Sequence, residues 1–210
     1  MNKKGIFITF EGTEGSGKTT HAKKLTAYLR KKGFSVVFTR EPGGTKLAEG
    51  IRNIVLNKKE SVVPLAELML YEASRAQHIE ELIKPNLDKG KIVICDRFTD
   101  STIAYQSFGR GLDIKVIAEL NKIVTRDAEP DLTIFIDLPV EKGLKRARAQ
   151  LGKDGANRLE NESIKFHKKV KKGFQYLLKS YPNRIKLVRQ DKDSRATFAK
   201  ICNIVDTFLK

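Results

Sequence analysis

The chain has 210 residues, 40% of them hydrophobic and 31% charged, and its 41 lysines and arginines against 25 acidic residues give a formal net charge of +16. This composition is typical of a soluble globular domain and excludes a disordered chain, and the lack of any run of about 20 apolar residues excludes a membrane-spanning helix. The only two cysteines, Cys95 and Cys202, exclude a disulfide framework and predict reduced thiols in a cytoplasmic protein.

Short apolar segments alternate with amphipathic helical segments along the chain. Strands are predicted at 6–10, 35–39, 91–96, 131–138 and 185–188. Helices are predicted at 18–32, 48–56, 65–82, 114–126, 141–150 and 197–209, and a further long basic helix is predicted to end near residue 179. This alternation predicts an α/β fold in which helices flank a mostly parallel sheet, in a single domain over residues 1–210.

A glycine-rich loop connects the first predicted strand to the first predicted helix. Its sequence, FEGTEGSGKTT at residues 10–20, contains the pattern GxxxxGK[ST] in the required context of a preceding strand and a following helix. Glycines allow the backbone to turn so that several N–H groups point at one phosphate, while Lys18 can bridge the outer phosphates and the Thr19 hydroxyl can bind Mg²⁺. The loop therefore predicts a site for a nucleotide polyphosphate.

The guanine-reading motif of GTPases is missing from the sequence. The tetrapeptides NKIV at Asn121 and NKKE at Asn57 both lack the aspartate of NKxD, and no DxxG segment is present. A chain of this length with one such phosphate loop is more typical of a small-molecule kinase.

Three further segments are predicted to form a second binding site. TREPGGT at 39–45 follows the second predicted strand, and DRFTDSTIAYQ at 96–106 follows the third. Ligands gather at the carboxyl ends of the strands in an open parallel sheet, so both segments should face the same crevice as the phosphate loop. Asp96 can hold Mg²⁺ there and Arg97 can neutralise an acceptor phosphate, although an ordinary Asp–Arg pair in a loop is the alternative.

The third segment, LMLYEASRAQH at 68–78, lies on a predicted helix. Tyr71 and Arg75 are four residues apart and therefore share one helix face. An aromatic ring and a guanidinium group in this arrangement could stack on a nucleobase and hydrogen-bond to it. The alternative is a core tyrosine next to a surface arginine.

Four segments together resemble thymidylate kinases of the bacterial type: FEGTEGSGKTT, TREPGGT, DRFTDSTIAYQ and PDLTIFIDLPVEKGLKRARA at 130–149. The resemblance extends over nearly the whole chain with order and spacing kept. It implies the fold of P-loop nucleoside monophosphate kinases, with a five-stranded parallel sheet flanked by helices. It also implies transfer of the terminal phosphate of ATP to dTMP with Mg²⁺ as cofactor, and a homodimer without membrane or specific nucleic-acid partners.

The resemblance assigns roles to individual residues. Those implied to bind ATP are Gly12, Thr13, Glu14, Gly15, Ser16, Gly17, Lys18, Thr19 and Thr20. Those implied to bind dTMP are Glu14 at the sugar, Arg40 and Arg97 at the phosphate, Pro42 near the nucleotide, Tyr71 and Arg75 at the base, Thr102 and Gln106 along the base pocket, and Tyr105 where a ribose 2′-hydroxyl would lie. Thr19 and Asp96 are the implied metal ligands.

The segment ARAQLGKDGANRLE at 147–160 matches the mobile lid of the family. Members without an arginine inside the phosphate loop supply basic residues from the lid, and here the lid offers Arg148, Lys153 and Arg158. The resemblance therefore implies Arg148 and Arg158 as catalytic residues beside Lys18 and Arg97. Asn157 stands where an aspartate is common, which blurs the alignment at Arg158 and favours Arg148.

Two other functions are compatible with parts of the sequence. A deoxynucleoside kinase would use a sugar hydroxyl as acceptor and would need a carboxylate base there, whereas the sequence offers two phosphate-seeking arginines, Arg40 and Arg97. A nucleic-acid-binding ATPase would account for the net charge of +16, but the aromatic content is 8% and no nucleic-acid-binding motif is present.

Overall fold

The computed structural model describes residues 5–151 and 157–210. Five strands form one sheet in the order β2-β3-β1-β4-β5, and every neighbouring pair is parallel. The strands are β1 (Ile6–Glu11), β2 (Val36–Arg40), β3 (Ile92–Asp96), β4 (Leu132–Asp137) and β5 (Ile185–Arg189). The predicted five-stranded parallel sheet is confirmed, with strand bounds shifted by one or two residues.

Helices flank this sheet. They are α1 (Lys18–Lys31), α2 (Lys46–Val55), α3 (Pro64–His78), α4 (Lys84–Asp88), α5 (Thr99–Thr102), α6 (Ile114–Thr125), α7 (Val140–Leu151), α8 (Ile164–Ser180) and α9 (Ser194–Phe208). A π-helical segment, Ile79–Ile83, joins α3 to α4, and a second, Ile103–Gly109, extends α5. The helix predicted at 65–82 thus continues to Asp88.

The helical segment from Thr99 to Gly109 was not predicted from the sequence. The reason is that it buries polar side chains, so an apolar stripe is missing: Asp100, Thr102 and Gln106 are all almost fully inaccessible. Asp100 is held by Arg184, whose guanidinium donates to both carboxylate oxygens at 2.7 and 2.8 Å. Tertiary pairing thus replaces the hydrophobic signal on which helix prediction depends.

The sheet separates two apolar layers because alternate residues of each strand point to opposite faces. On one face Ile8 and Phe10 pack with Leu25 of α1 and Ile201 of α9. On the other face Phe7 packs with Ile79 and Ile83. The ring of Phe7 also meets that of Phe98 edge-on, with 4.8 Å between the centroids. The well-packed central strands therefore form a rigid platform for the loops at their carboxyl ends.

The carboxyl ends of β1, β2 and β3 bring the phosphate loop, the segment at 40–45 and the Asp96–Arg97 turn to one edge, as predicted. Helix α7 closes this edge from the side of β4. Residues 152–156, the centre of the predicted lid, lie outside the described residues, and Lys153 is among them. In the described parts of the chain we find no helix that is both long and apolar enough to cross a membrane.

Candidate active site

A cleft of about 300 Å³ opens at the carboxyl edge of the sheet. It is lined by the phosphate loop, the segment after β2, α3, the turn after β3, and α7 with residues 157–160. The predicted site residues that line it are Glu14, Gly15, Gly17, Lys18, Thr19, Thr20, Arg40, Pro42, Tyr71, Arg75, Asp96, Arg97, Thr102, Tyr105 and Gln106. The structure therefore brings the predicted donor and acceptor residues into one space, whereas Arg148 and Arg158 are not part of its lining.

The phosphate loop depends on glycine at two positions. Gly17 has φ 86° and is the N-cap of α1, so no side chain caps the first-turn N–H groups, and these remain available to an anion. Gly15 has φ 64°, and a Cβ atom there would collide with the backbone of Gly143 in α7. The loop is thus open towards the cleft and tightly packed behind.

Lys18 is almost fully buried at the start of α1. Its Nζ donates a hydrogen bond of 2.8 Å to the carbonyl oxygen of Thr13. Burial, together with the nearby charge of Arg97, lowers the pKa of Lys18 to about 8 despite the surrounding carboxylates. A polyanion that binds beside Lys18 would raise this pKa again and so favour the charged ammonium form.

The predicted metal ligands face each other across the loop. The Thr19 hydroxyl donates a hydrogen bond to Asp96 Oδ2. Asp96 Oδ1 is buried and has no hydrogen-bond partner among the described residues. Carboxylate and hydroxyl oxygens are the donors that Mg²⁺ prefers, and Mg²⁺ commonly takes one or two protein ligands plus substrate phosphates. The pair therefore fits the predicted ion.

Arg97 lies at the centre of the cleft in a network with two predicted sugar-site residues. Its Nη2 donates to Glu14 Oε2 at 2.6 Å and to the Tyr105 hydroxyl at 3.1 Å, and that hydroxyl donates to Glu14 Oε1 at 2.6 Å. Burial alone would raise the pKa of Glu14, but Arg97 and Lys18 together lower it to about 2. Glu14 is therefore a carboxylate at neutral pH.

Tyr71 and Arg75, the predicted base-binding pair, both lie on α3 as expected. Their burial is the opposite of a core tyrosine next to a surface arginine. Arg75 is only 2% exposed, and Tyr71 is partly exposed on the cleft wall. Arg75 Nε donates to Glu41 Oε2 at 2.8 Å, and its Nη1 donates to Glu72 Oε1 at 2.8 Å and to Asn121 Oδ1 at 3.0 Å. This leaves Nη2 without a hydrogen-bond partner among the described residues, on a side chain that lines the cleft.

Thr102 and Gln106 line the adjacent wall of the cleft. Gln106 and Arg158 share a hydrogen-bond partner, Glu67. Gln106 Nε2 donates to Glu67 Oε1 at 2.8 Å. Glu67 Oε2 accepts from Arg158 Nη2 at 2.5 Å, and Arg158 also donates to the carbonyl oxygen of Val55 at 3.0 and 3.1 Å. The guanidinium group of Arg158 is thus bound to Glu67 and Val55, outside the cleft lining, and not to the phosphate loop.

The remaining predicted basic residues are at the rim. Arg40 is exposed and its Nη2 lies 3.0 Å from Glu49 Oε2. Arg148 is exposed on α7 and makes no ion pair with a described residue, while its neighbour Ala147 is buried and lines the cleft. Arg148 therefore stands at the edge of the site with its side chain uncommitted to the described residues.

Glu41 and Arg52 are among the cleft residues that sequence reasoning did not single out. Glu41 lines the cleft and joins Arg75 to His78, whose Nδ1 is 3.0 Å from Glu41 Oε1. Arg52 of α2 also lines the cleft and donates to the carbonyl oxygen of Pro42 at 2.8 Å. Glu41 could have been found from its place inside REPGG, between two predicted site residues, whereas Arg52 carries no motif of its own.

Comparison with known proteins agrees with this geometry. A family model described as thymidylate kinase matches residues 10–201. The thymidylate kinase of Citrifermentans bemidjiense is 50% identical over 197 residues, covering 92% of this chain and 88% of the relative, and that of Geobacter sulfurreducens is 46% identical over 205 residues, covering 96% of each. The crystal structure of thymidylate kinase from Ehrlichia chaffeensis matches with a TM-score of 0.78 at 34% identity, covering 96% of this chain and 98% of that one.

The chain belongs to the thymidylate kinase family. The resemblance seen in the four sequence segments is therefore confirmed, as is the P-loop kinase fold. As a member of this family the chain is a nucleoside monophosphate kinase, which leaves the deoxynucleoside kinase and the nucleic-acid-binding ATPase without support.

Proposed function

We propose that this member of the thymidylate kinase family transfers the terminal phosphoryl group of ATP to dTMP, giving dTDP and ADP. The observation that supports it best is the placement of Arg97, a phosphate-seeking cation, between the phosphate loop and the Tyr71–Arg75 wall in one cleft. A nucleoside monophosphate can then present its phosphate to Lys18 and its base to α3 at the same time.

The donor half of the site binds and neutralises the ATP phosphates. The open N-terminus of α1 and the ammonium group of Lys18 act on the group that carries charge in the transition state, which is where electrostatic stabilisation accelerates phosphoryl transfer. Mg²⁺, which Thr19 and Asp96 would hold, reduces the charge of the ATP phosphates when it is bound.

The acceptor half orients dTMP. Arg97, with Arg40 at the rim, binds the phosphate whose oxygen attacks, and that oxygen is already a nucleophile, so no general base is needed. Tyr71 stacks on thymine and the free Nη2 of Arg75 donates to a ring carbonyl oxygen. Holding both substrates in line is the larger part of what such an enzyme must do.

One experiment tests the proposed function directly. ADP formation is measured with purified protein, ATP and Mg²⁺ against a panel of acceptors: dTMP, dUMP, dCMP, AMP and thymidine. We expect turnover with dTMP to exceed that with dCMP, AMP and thymidine. Equal rates with AMP, or a preference for thymidine, would contradict the proposal.

Replacement of Arg75 should narrow the preference for dTMP over dCMP, whose amino group is a donor where thymine has an acceptor. Loss of a hydrogen bond from a charged donor should reduce the ratio of kcat/KM values by about tenfold or more. Arg75→Ala leaves Glu41 and Glu72 buried without their partner, so Arg75→Lys is the matched variant that keeps the charge but loses the planar fork. An unchanged acceptor ratio in both variants would remove Arg75 from base recognition.

Tyr105 should determine the choice between deoxyribose and ribose. Its ring is buried against Phe166 and Phe174, with centroid distances of 6.2 and 6.3 Å, so it is a fixed wall. Tyr105→Phe keeps the wall and should keep the discrimination, while Tyr105→Ala should admit ribosylthymine monophosphate. The ratio of kcat/KM for the deoxy and ribo acceptors measures the effect, and an unchanged ratio in the alanine variant would exclude this role.

We also propose that the protein is a cytoplasmic homodimer. Helix α2 packs on α3, and α3 packs on α6, and together they leave large apolar side chains exposed: Leu47, Ile54, Leu65, Met69, Val116 and Ile123. A second copy of the chain buries such a face in a two-fold arrangement. Cys95 and Cys202 are free and buried, as expected in a reducing compartment.

Ile123→Glu should convert the dimer to a monomer, because Ile123 is 67% exposed and a charge there opposes burial of the face. Phe208→Glu on α9 is the control, since it changes an exposed apolar residue on a different helix. Light scattering coupled to size exclusion measures the mass. A monomeric wild-type protein, or a dimer that survives Ile123→Glu, would contradict the proposed interface.

A further inference from the structure

Arg97 has a backbone conformation that side-chain-bearing residues rarely adopt. Its N–H completes the ladder between β3 and β1 by donating to the carbonyl oxygen of Phe10 at 2.9 Å. The chain then turns sharply, with φ 72° at Arg97. Such a conformation costs energy and persists only where surrounding contacts hold it, and it is enriched at functional sites.

The group that holds this turn is Glu11, the last residue of β1. Glu11 Oε1 accepts a hydrogen bond of 2.7 Å from the backbone N–H of Phe98, the residue directly after the turn. Glu11 Oε2 accepts a hydrogen bond of 2.6 Å from the Ser101 hydroxyl. The oxygen of the Ser101 hydroxyl in turn accepts a hydrogen bond of 3.0 Å from Arg97 Nη1. A single carboxyl group thus contacts both the backbone that follows Arg97 and, through Ser101, its guanidinium group.

Glu11 has no place in the cleft itself. Ser101, Glu14 and Tyr105, which surround the Arg97 guanidinium, all line the cleft, whereas Glu11 lies beneath them and is 1% exposed. Burial and the nearby Asp100 raise the pKa of Glu11 to about 8, and Arg97 opposes this rise. An acidic group is costly to bury, so its presence without substrate contact requires another reason.

The guanidinium of Arg97 needs a fixed direction for its proposed task. Two of its partners, Glu14 and Tyr105, are the residues expected at the nucleotide sugar and line the cleft. The contact through Ser101 instead ends on Glu11, which is buried at the end of the central strand β1 and is not part of the cleft lining. It can therefore hold Arg97 in the same orientation before and after binding.

We propose that Glu11, acting through Ser101 and the N–H of Phe98, is a positioning residue that aims Arg97 at the acceptor phosphate. This inference rests on the function proposed above, in which Arg97 binds the phosphate of dTMP. It assigns to the glutamate of FEG, next to the phosphate loop in sequence, a task on the acceptor side. The end of β1 would thus support both substrate sites: the acceptor site through Glu11, and the donor site through the phosphate loop that follows it.

The test separates acceptor binding from donor binding in three variants: Ser101→Ala, Glu11→Gln and Glu11→Ala. Ser101→Ala should weaken equilibrium binding of dTMP by about 3- to 10-fold, the factor for one lost hydrogen bond, and leave ATP binding unchanged. In kinetics, KM for dTMP should rise more than kcat falls. Glu11→Ala should have a larger effect in the same direction.

The comparison of Glu11→Gln with Glu11→Ala, and one further control variant, separate positioning from general destabilisation. Glu11→Gln keeps an oxygen for the Phe98 N–H and a polar contact for Ser101, so it should restore most of the dTMP affinity that Glu11→Ala loses. Ser107→Ala, on the same helical segment but outside the cleft lining, should bind dTMP as the wild type does. Thermal unfolding of each variant reports any loss of stability.

Wild-type dTMP affinity in both Ser101→Ala and Glu11→Ala would overturn the inference. Parallel losses of dTMP and ATP affinity in Ser101→Ala would overturn it too, because they would indicate a structural role only. If Glu11→Ala does not fold, Ser101→Ala decides the question, because it removes the contact between Glu11 and Arg97 without removing Glu11. A wild-type protein that does not phosphorylate dTMP refutes the proposed function and this inference with it, whereas an active wild type with unaffected variants refutes this inference alone.

Discussion

Lys18→Ala should lower kcat by about 10²- to 10³-fold or more, the range found when one preorganised donor to a developing charge is removed. The structure holds Lys18 rigidly, with Nζ bonded to the carbonyl oxygen of Thr13 and its aliphatic stem buried. The ammonium group therefore needs no reorganisation when charge develops on the phosphate oxygens. Burial lowers the pKa of Lys18 to about 8, and an anion bound beside it would favour the charged form.

Steady-state kinetics with ATP and dTMP measure this effect, and binding of dTMP alone isolates the donor side. We expect the dTMP affinity of Lys18→Ala to remain near that of the wild type. Lys31→Ala, an exposed lysine at the far end of α1, is the matched control and should be fully active. A kcat for Lys18→Ala within a few-fold of the wild type would place the transferred phosphate elsewhere.

Arg148→Ala should lower kcat by several hundred-fold or more while dTMP affinity is kept. A positioned arginine is worth about 10³–10⁵ in rate in other phosphoryl-transfer enzymes, and the phosphate loop of this chain contains none. Gly143 of α7 touches the phosphate loop, Ala147 lines the cleft one turn later, and Arg148 follows at the rim. Its side chain has no ion pair with a described residue to break before it can reach the substrate.

Arg158→Ala is the comparison, because Arg158 was predicted to share this role. Its guanidinium is bound to Glu67 and to the carbonyl oxygen of Val55. We therefore expect Arg158→Ala to reduce thermal stability more than kcat. Lys145→Ala, exposed on the same helix, should be neutral. Near-wild-type kcat in Arg148→Ala, Arg158→Ala and the double variant would show that the lid supplies no catalytic cation.

Sequence reasoning predicted the sheet and the grouping of the site because both follow from local rules. Short apolar strands alternating with helices define a parallel sheet, and the rule that loops meet at carboxyl strand ends predicts Lys18 and Arg97 in one cleft. The spacing of Tyr71 and Arg75 likewise predicted a shared helix face.

The surroundings of Arg75 could not be predicted in this way. Its partners Glu41 and Asn121 are 34 and 46 residues away in sequence, on a loop and on another helix. An arginine is buried only where several such partners meet, so its burial is a property of the assembled fold. The same holds for Arg158, whose capture by Glu67 depends on a contact 91 residues apart.

Two neighbouring residues at the end of β2, Arg40 and Glu41, contact different parts of the site. Arg40 is exposed at the rim where the acceptor phosphate is expected. The next residue, Glu41, forms an ion pair with Arg75, the residue expected at the nucleobase. In the proposed function, the residues that serve the phosphate end and the base end of dTMP are thus neighbours in the chain, with Glu41 acting through Arg75 of α3. A displacement of this segment would therefore move both contacts together, and the distance between them would be set in part by the covalent geometry of one peptide unit.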